Sequence, residues 1–585
     1  MSPGALADRS RMTLLAARRL ASRALGWPIR FLRVPALPGR GDRLVIAPQD
    51  VRTADPTRAA EIYAGRFAFA GKVVICDGRS PFEMLAPSDD WAAALHGFGW
   101  LRHLRAAESA ITRANARALV DEWIGMQGSL GQPAWQPEVV TRRLISWLSQ
   151  ATLILDDSDV RFYRRFLKSL ARQVRFLRST AGDTRDGVPR LQARIALTYS
   201  ALCISSQIRY LNKATRQLAH ELERQVLPDG GHASRNPGAI IELLLDLLPL
   251  SQAYAARNVA PPAALLNAID RMMPMLRFFR HSDGTFALFN GMGPTQPDLL
   301  ATLIACDDAR GTPVSNAVHS GYQRIEAGNT IMLMDTGRPP RFELSVQAHA
   351  GCLSFELSHK GQRIIVNCGM PGTGREDWRE HARTTAAHST VTFNDTSSCR
   401  FAATAAGRRT HGAPIVSGPT KVPVERETIA DGEIVRATHD GYANRFSVIH
   451  QRAIILSPDG NRLDGEDMFL PAKGAEIPQK AADEFAVRFH LHPAIRANRI
   501  ADGHGVMLIL PNKDVWNFHA YDDMAEIEDG VYLGGPEGAR RTFQIVIRGH
   551  ARDMANVRWT LNHTPPASGA RRSRDSEPEL PLDLA

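Results

Sequence analysis

Cysteine is scarce in this 585-residue chain: six residues, at 76, 203, 306, 352, 368 and 399, none in a CxxC pair. That spacing offers no zinc ribbon, no thioredoxin-type motif and no dense disulfide framework, and it fits a reducing compartment. The sequence also lacks a GxGxxG or GK[ST] phosphate loop and an HExxH zinc helix, so nucleotide-driven and zincin chemistry have no local anchor. No segment of 18 or more residues reads as a membrane span.

One-sided charge is also missing from most of the chain. The formal net charge is +10, but nine arginines stand against Asp8 and Asp42 in residues 1–43, a surplus of seven, and the other 542 residues carry only about +3. The basic balance is therefore an N-terminal arm and not a nucleic-acid footprint on the body, and no nucleic-acid partner is expected. The arm, "MTLLAARRLASRALGWPIRFLRVP", is interrupted by Arg18, Arg19 and Arg23, so it lacks the apolar core of a secretory signal. It reads as an amphipathic helix lying on the body or as a peripheral membrane contact. The localisation expected is cytoplasmic, with association at the inner membrane left open and the periplasm as the alternative. A homo-oligomer is neither required nor excluded.

With 44% hydrophobic and 23% charged residues, the chain can fill two or three cores. From about Trp91 to Ala309 the apolar residues recur at three to four spacing, in segments such as "VRFYRRFLKSLARQVRFLRS" and "AIIELLLDLLPLSQAYAARN". After about Pro313 the period falls to two, in short stretches such as "NTIMLMDTG", "RFSVIHQRAIILSP" and "RTFQIVIRG" separated by Gly, Asn and Asp. The expected fold is multidomain α+β: an incomplete (α/α) toroid of helical hairpins over 61–312, then an antiparallel β-sandwich over 313–560. A lead-in (1–60) and a polar tail (561–585) flank them. The crevice between the two halves is the natural place for a large ligand.

In the β half, "HAGCLSFELSHKGQRIIVNCGMPG" (349–372) and "WREHARTTAAHSTVTFND" (378–395) resemble the heparinase II/III family, whose members join an (α/α) toroid to an antiparallel β-sandwich. "LHGFGWLRHL", "GVPRLQARIALTYSALC", "DGGHASRNP" and "DGTFALFNGMG" in the helical half resemble its bacterial branch. The resemblance implies a polysaccharide lyase that cleaves a uronic-acid-containing polysaccharide or oligosaccharide by β-elimination. Such a reaction neutralises the C5 carboxylate, removes the C5 proton and protonates the departing oxygen. It also implies a β-domain metal site of two histidines and an aspartate. His349 and His388 fall at the histidine positions, but Asn367 stands where the aspartate would be. Two arrangements stay open: Zn2+ or another divalent ion on His349, Asn367 and His388, or a polar knot of the same residues without an ion.

The family's tyrosine–histidine pair has no counterpart here, and Gln347 replaces a histidine common two residues before His349. The loop "PDGGHASRNPG" offers substitutes: His232 as base or acid, Arg235 as a fork for the carboxylate, Asn236 as a donor to the enolate. Their alternative is a helix cap with Pro237 fixing the entrance. Arg383 is the better carboxylate-binding candidate near His388, with Arg379 more a scaffold residue. The catalytic set expected is thus His232, Arg235, Asn236, His349, Arg383 and His388, the two triplets facing each other across the crevice. Arg190 and Asn290 are weaker cleft candidates. His96 with Trp100 reads more as packing than as a sugar platform, and Tyr199, Tyr322, Cys352 and Cys368 carry little signal. Arg488, His490 and His492 alternate as a solvated strand face. A glycoside hydrolase using two of Asp183, Asp186, Asp229 and Asp283, or a noncatalytic carbohydrate-binding and envelope-assembly protein, are the competing functions.

Overall fold

The computed structural model describes residues 42–564 apart from 307–312, 373–375, 403–412, 475, 479–481 and 522–523. The basic arm up to residue 41, the tail from 565 and the expected boundary at 312/313 lie outside the described residues.

Helices run from Pro56–Tyr63 to Pro297–Ala305. Their starts follow local chemistry: Ser88 and Asp159 accept backbone N–H groups of Trp91 and Phe162, and Ser109 with Thr112 closes a capping box. Pro137–Ser149 packs on Asp89–Gly97 and Val188–Cys203, which in turn packs on Leu211–Gln225 and Gly238–Ala256. Trp91, Trp123 and Trp147 are fully buried between them. Arg143 is buried there too, its cation 4.1 Å from the Trp123 ring and its donors on Gln173 Oε1 and the carbonyls of His96 and Ala134. A short hairpin, Arg66–Phe69 with Lys72–Ile75, precedes the bundle and was not legible in the apolar period.

Gly238–Ala256 departs from the expectation that no segment could span a membrane: its length and mean hydropathy of 1.4 suffice. The fold nevertheless uses it as a core helix, with Leu243, Leu244, Leu247 and Leu250 buried. Asp246 in its middle accepts from Arg52 at 2.9 Å and Arg142 at 2.8 Å, an ion cluster that belongs to a protein interior.

The strands from Asn316–Ala317 to Asn556–Thr564 form two large antiparallel sheets of nine and eight strands. They face each other as a sandwich, with Phe355 of one sheet stacked on Trp559 of the other, ring centroids 5.5 Å apart. Gly465, paired with Trp559 across the strands, leaves room for that indole: a Cβ there would lie 2.0 Å from Cζ2. Gly465→Ala is therefore expected to destabilise the sandwich by about 1–3 kcal/mol or more through overpacking. Urea unfolding checks this, and an unchanged midpoint would contradict it.

Candidate functional site

The loop 229–237 enters Gly238–Ala256 and meets the first strands of the sandwich. Arg235, with a left-handed backbone (φ 62°), directs its guanidinium into that joint. Its donors go to the carbonyls of Ser320, Gly321, Gly337 and Arg338 and to the Asp335 carboxylate. Burial opposes its charge, but Asp335 and Tyr322 outweigh that and raise its pKa. Asp335 also accepts from Asn290 Nδ2 at 2.8 Å, Asn290 donates to Tyr322 Oη, and Tyr322 donates to the Arg235 carbonyl. Asn290 Oδ1 accepts the His349 backbone N–H at 3.2 Å. His349 Nδ1 and His388 Nε2 then lie 2.9 Å apart.

Arg235 of one expected triplet is thus linked through Asp335 and Asn290 to His349 and His388 of the other, but these groups are buried and do not face each other across an open crevice. Arg235 is a strut between the domains and has no donor left for a substrate carboxylate. His232 is 2% exposed, with Nδ1 on Ser234 Oγ and Nε2 on Gln225 Oε1, and burial pushes its pKa down to about 4. Arg383 is likewise committed, donating to the carbonyls of Ala348 and Ser345 while its cation rests 4.5 Å from the Phe401 ring. Only Asn236 stays partly exposed, donating to Gln347 Oε1.

Of the two arrangements left open by the sequence, a cation on His349, Asn367 and His388 would have to displace hydrogen bonds that these residues already make. His388 Nδ1 donates to the Thr384 carbonyl, so its Nε2 is the acceptor of the His349 Nδ1 proton. Asn367 Oδ1 accepts from the Ser389 N–H, and no carboxylate supplies charge. Burial pushes His388 down to about 4 and His349 well below its ordinary value, so both are neutral. The three residues make the hydrogen bonds of a polar knot, in which His349 Nε2 and Asn367 Nδ2 are buried without a partner.

Other expectations are resolved by burial. His96 accepts from Trp123 Nε1 and packs in the helical core, and Tyr199 donates to the Asp246 carbonyl. Cys352 and Cys368 are buried thiols with raised pKa, Cys368 at about 12. The strand face of Arg488 and His490 is not solvated: His490 donates to the Ala386 carbonyl beneath the 385–390 segment. Asp186 is held by Arg224 and Asp229 by Ser320, which removes both from a hydrolase pair. A His/His/Asp cluster able to hold a divalent metal does occur elsewhere in the β region, at His359, Asp514 and His563.

The open space lies beside the joint, a cleft of about 1,660 Å³ between the helical and β halves. Helical-side walls come from Asp183, Asp186, Arg190 and Arg224, and the β side gives His319, Arg338, Arg341, Glu343, Lys421 and Asp440. Arg190 and Arg224 are drawn to Asp186, at 3.5 Å and 2.9 Å. No carboxylate among the described residues pairs with Arg338, Arg341 or Lys421, all exposed. These cations and His319 were missed in sequence; the proline-flanked "GRPPRFE" and "GPTKVP" were the available signal.

A helical toroid leading into a two-sheet sandwich is the architecture shared with the solved heparinase III structures. Residues 309–560 match the family described as Heparinase II/III-like, C-terminal. FtsZ-localized protein C of Caulobacter vibrioides (strain NA1000 / CB15N) is 34% identical over 543 residues, covering 90% of this chain and 91% of its own. The chain belongs to the heparinase II/III-like family. In fold it is similar to heparinase III, with TM-score 0.67 and 15% identity over 96% of this chain and 92% of that one. It is also similar to a heparan sulfate lyase HepC mutant from Pedobacter heparinus, with TM-score 0.61 and 15% identity over 95% and 91%.

Proposed function

We propose that the protein is a carbon–oxygen lyase that binds a uronic-acid-containing glycan in the interdomain cleft and cleaves it by β-elimination. The observation that carries this reading is the unpaired set Arg338, Arg341 and Lys421 on one wall of a cleft large enough for several sugar rings. Cations that neutralise the C5 carboxylate stabilise the enolate formed when the C5 proton leaves. His319, an imidazole exposed on the same wall, is the group that takes that proton. The electron pair forms the C4–C5 double bond, the C4–O bond breaks, and the departing oxygen is protonated from His319 or water. No step passes through a metal.

A panel of acidic polysaccharides, read by ultraviolet absorbance of the unsaturated uronide and by product mass, tests this. Arg338→Ala, Arg341→Ala and Lys421→Ala are each expected to lower kcat/KM about tenfold or more, the loss of one charge-assisted contact. Products that have gained water would overturn the elimination.

A second reading follows from two observations: no tyrosine is among the described residues that line the cleft, and the 34% identical relative is named for its localisation with FtsZ. In this reading the cleft holds an acidic glycan without cutting it, and the protein localises with FtsZ as that relative's name states. Saturable binding without turnover, with the tagged protein at the FtsZ ring, distinguishes it. The location proposed is the cytoplasm, supported by the arginine-interrupted sequence of residues 1–43, with the periplasm as the alternative. Recovery of periplasmic protein cleaved near residue 43 would contradict that placement.

A further inference from the structure

At one end of the sandwich, away from the cleft, three side chains from both sheets converge. His359 closes the strand Phe355–His359 of the nine-stranded sheet. His563 lies in Asn556–Thr564 of the eight-stranded sheet, and Asp514 immediately precedes its strand Val515–Ala520. The Asp514 Oδ2 atom is 3.4 Å from His563 Nε2 and 3.8 Å from His359 Nε2. The imidazole centroids are 4.5 Å apart, and the Trp516 ring lies 5.3 Å from each.

The surrounding hydrogen bonds fix where the imidazole protons sit. Thr330 Oγ1 gives its only proton to the Gly460 carbonyl at 2.6 Å, so at 2.7 Å from His359 Nδ1 it must accept. Asn461 Nδ2 donates to Asp459 at 2.9 Å, which turns its Oδ1 to His563 Nδ1 at 3.1 Å as acceptor. Each ring therefore carries a proton on Nδ1, and with one proton per ring a bare Nε2 turns inward. Neither Nε2 has a hydrogen-bond partner, and both are buried. Two lone pairs and a carboxylate face one another, an arrangement whose complement is a cation. Outer-shell acceptors that hold Nδ1–H are also what orient imidazoles as metal ligands.

We propose that His359, Asp514 and His563 form a zinc-class divalent metal site that clasps the two sheets together. A two-imidazole, one-carboxylate set selects Zn2+ over Mg2+ or Ca2+, which take oxygen ligands. Tetrahedral ligands at 2.0–2.1 Å lie about 3.3 Å apart. The 3.4 Å pair already has this spacing, and the three atoms, within 4.8 Å of one another, need only a small closure. The fourth position falls to water. Lys360 Nζ at 3.3 Å and Asn512 Nδ2 at 3.2 Å also contact Asp514 Oδ2, so Lys360 competes with the metal for this oxygen. Because the site draws on both sheets it forms only in the folded sandwich, so binding stabilises that state. The clasp is independent of the chemistry in the cleft.

Full-length protein stripped with a chelator and titrated with Co2+ tests the assignment. Expected are one equivalent bound with tetrahedral visible absorption, displacement by Zn2+, and a raised Tm with Zn2+. His563→Ala and Asp514→Asn should lose the absorption, whereas the double variant His349→Ala/His388→Ala should keep it. Lys360→Ala, at a partly exposed position that does not threaten folding, should bind about two- to fivefold more tightly, the value of one exposed ion pair. Folded wild-type protein and Lys360→Ala that both take up no Co2+ would overturn the site and leave a histidine–aspartate ion pair. So would absorption unchanged in His563→Ala and Asp514→Asn.

Discussion

Arg235→Ala is expected to lower the unfolding free energy by about 3–5 kcal/mol, because it strands a buried carboxylate and several buried carbonyls at the joint between the domains. The guanidinium is 8% exposed and serves five acceptors, four of them carbonyls of the β half. Asp335, 2% exposed, would keep the Asn290 amide and the Gly337 N–H as donors to its carboxylate. Arg235→Lys should recover little, since an ammonium carries three donors and lacks the planar fork. Asp335→Asn should cost less than Arg235→Ala, because the guanidinium keeps its carbonyls. Urea unfolding of the three variants checks this order. A loss below about 1 kcal/mol for Arg235→Ala would mean the strut is dispensable and would return the residue to the list of substrate contacts.

The same residue explains how far the sequence could be read. The halves were legible because each obeys one period: Val448–Leu456 alternates buried and half-buried residues without a break. Alternation misled where both faces are covered. Arg488 and His490 have the polar rhythm of a wet face, yet Arg488 N–H bonds the Thr390 carbonyl and the 385–390 segment roofs the strand. Asn367 directly follows the strand Gln362–Val366, whereas His349 and His388 lie in the connections before Phe355–His359 and Val391–Phe393, and spacing says nothing about their protons. That His388 turns a lone pair on Nε2 toward His349 is set by the Thr384 carbonyl behind it. Arg235 resembled a carboxylate clamp because its partners lie 85 to 103 residues away, beyond any local pattern. The cleft cations are the converse case: unpaired and on loops, they carry no periodicity at all.

Acidification is expected to unfold the protein steeply between pH 6.5 and about 4, driven by buried neutral histidines. Burial holds His232 and His388 down at about 4 and His490 at about 3, the last also repelled by His388 and Arg488. Each has an ordered role as a neutral ring: His232 between Ser234 and Gln225, His388 between Thr384 and His349, His490 between Ala386 and Cys368. In the unfolded chain all three titrate near 6.5. Above that value neither state is protonated and they add nothing to the pH dependence. Below it the unfolded chain takes up protons that the folded chain refuses, so stability falls as pH falls. The slope is about 1.4 kcal/mol per pH unit for each histidine, hence about 4 kcal/mol per unit for the three together. The fall should continue until the folded pKa values are reached. Urea midpoints at constant m-value, measured from pH 7.5 to 5.0, give the number of linked protons. His490→Gln, which keeps an amide donor for the Ala386 carbonyl without a titrating ring, should reduce that number by about one. A linkage below one proton between pH 6.5 and 5.5 would mean that these rings are charged in the folded protein, and the neutral knot at His349 and His388 would have to be replaced by an ionised one.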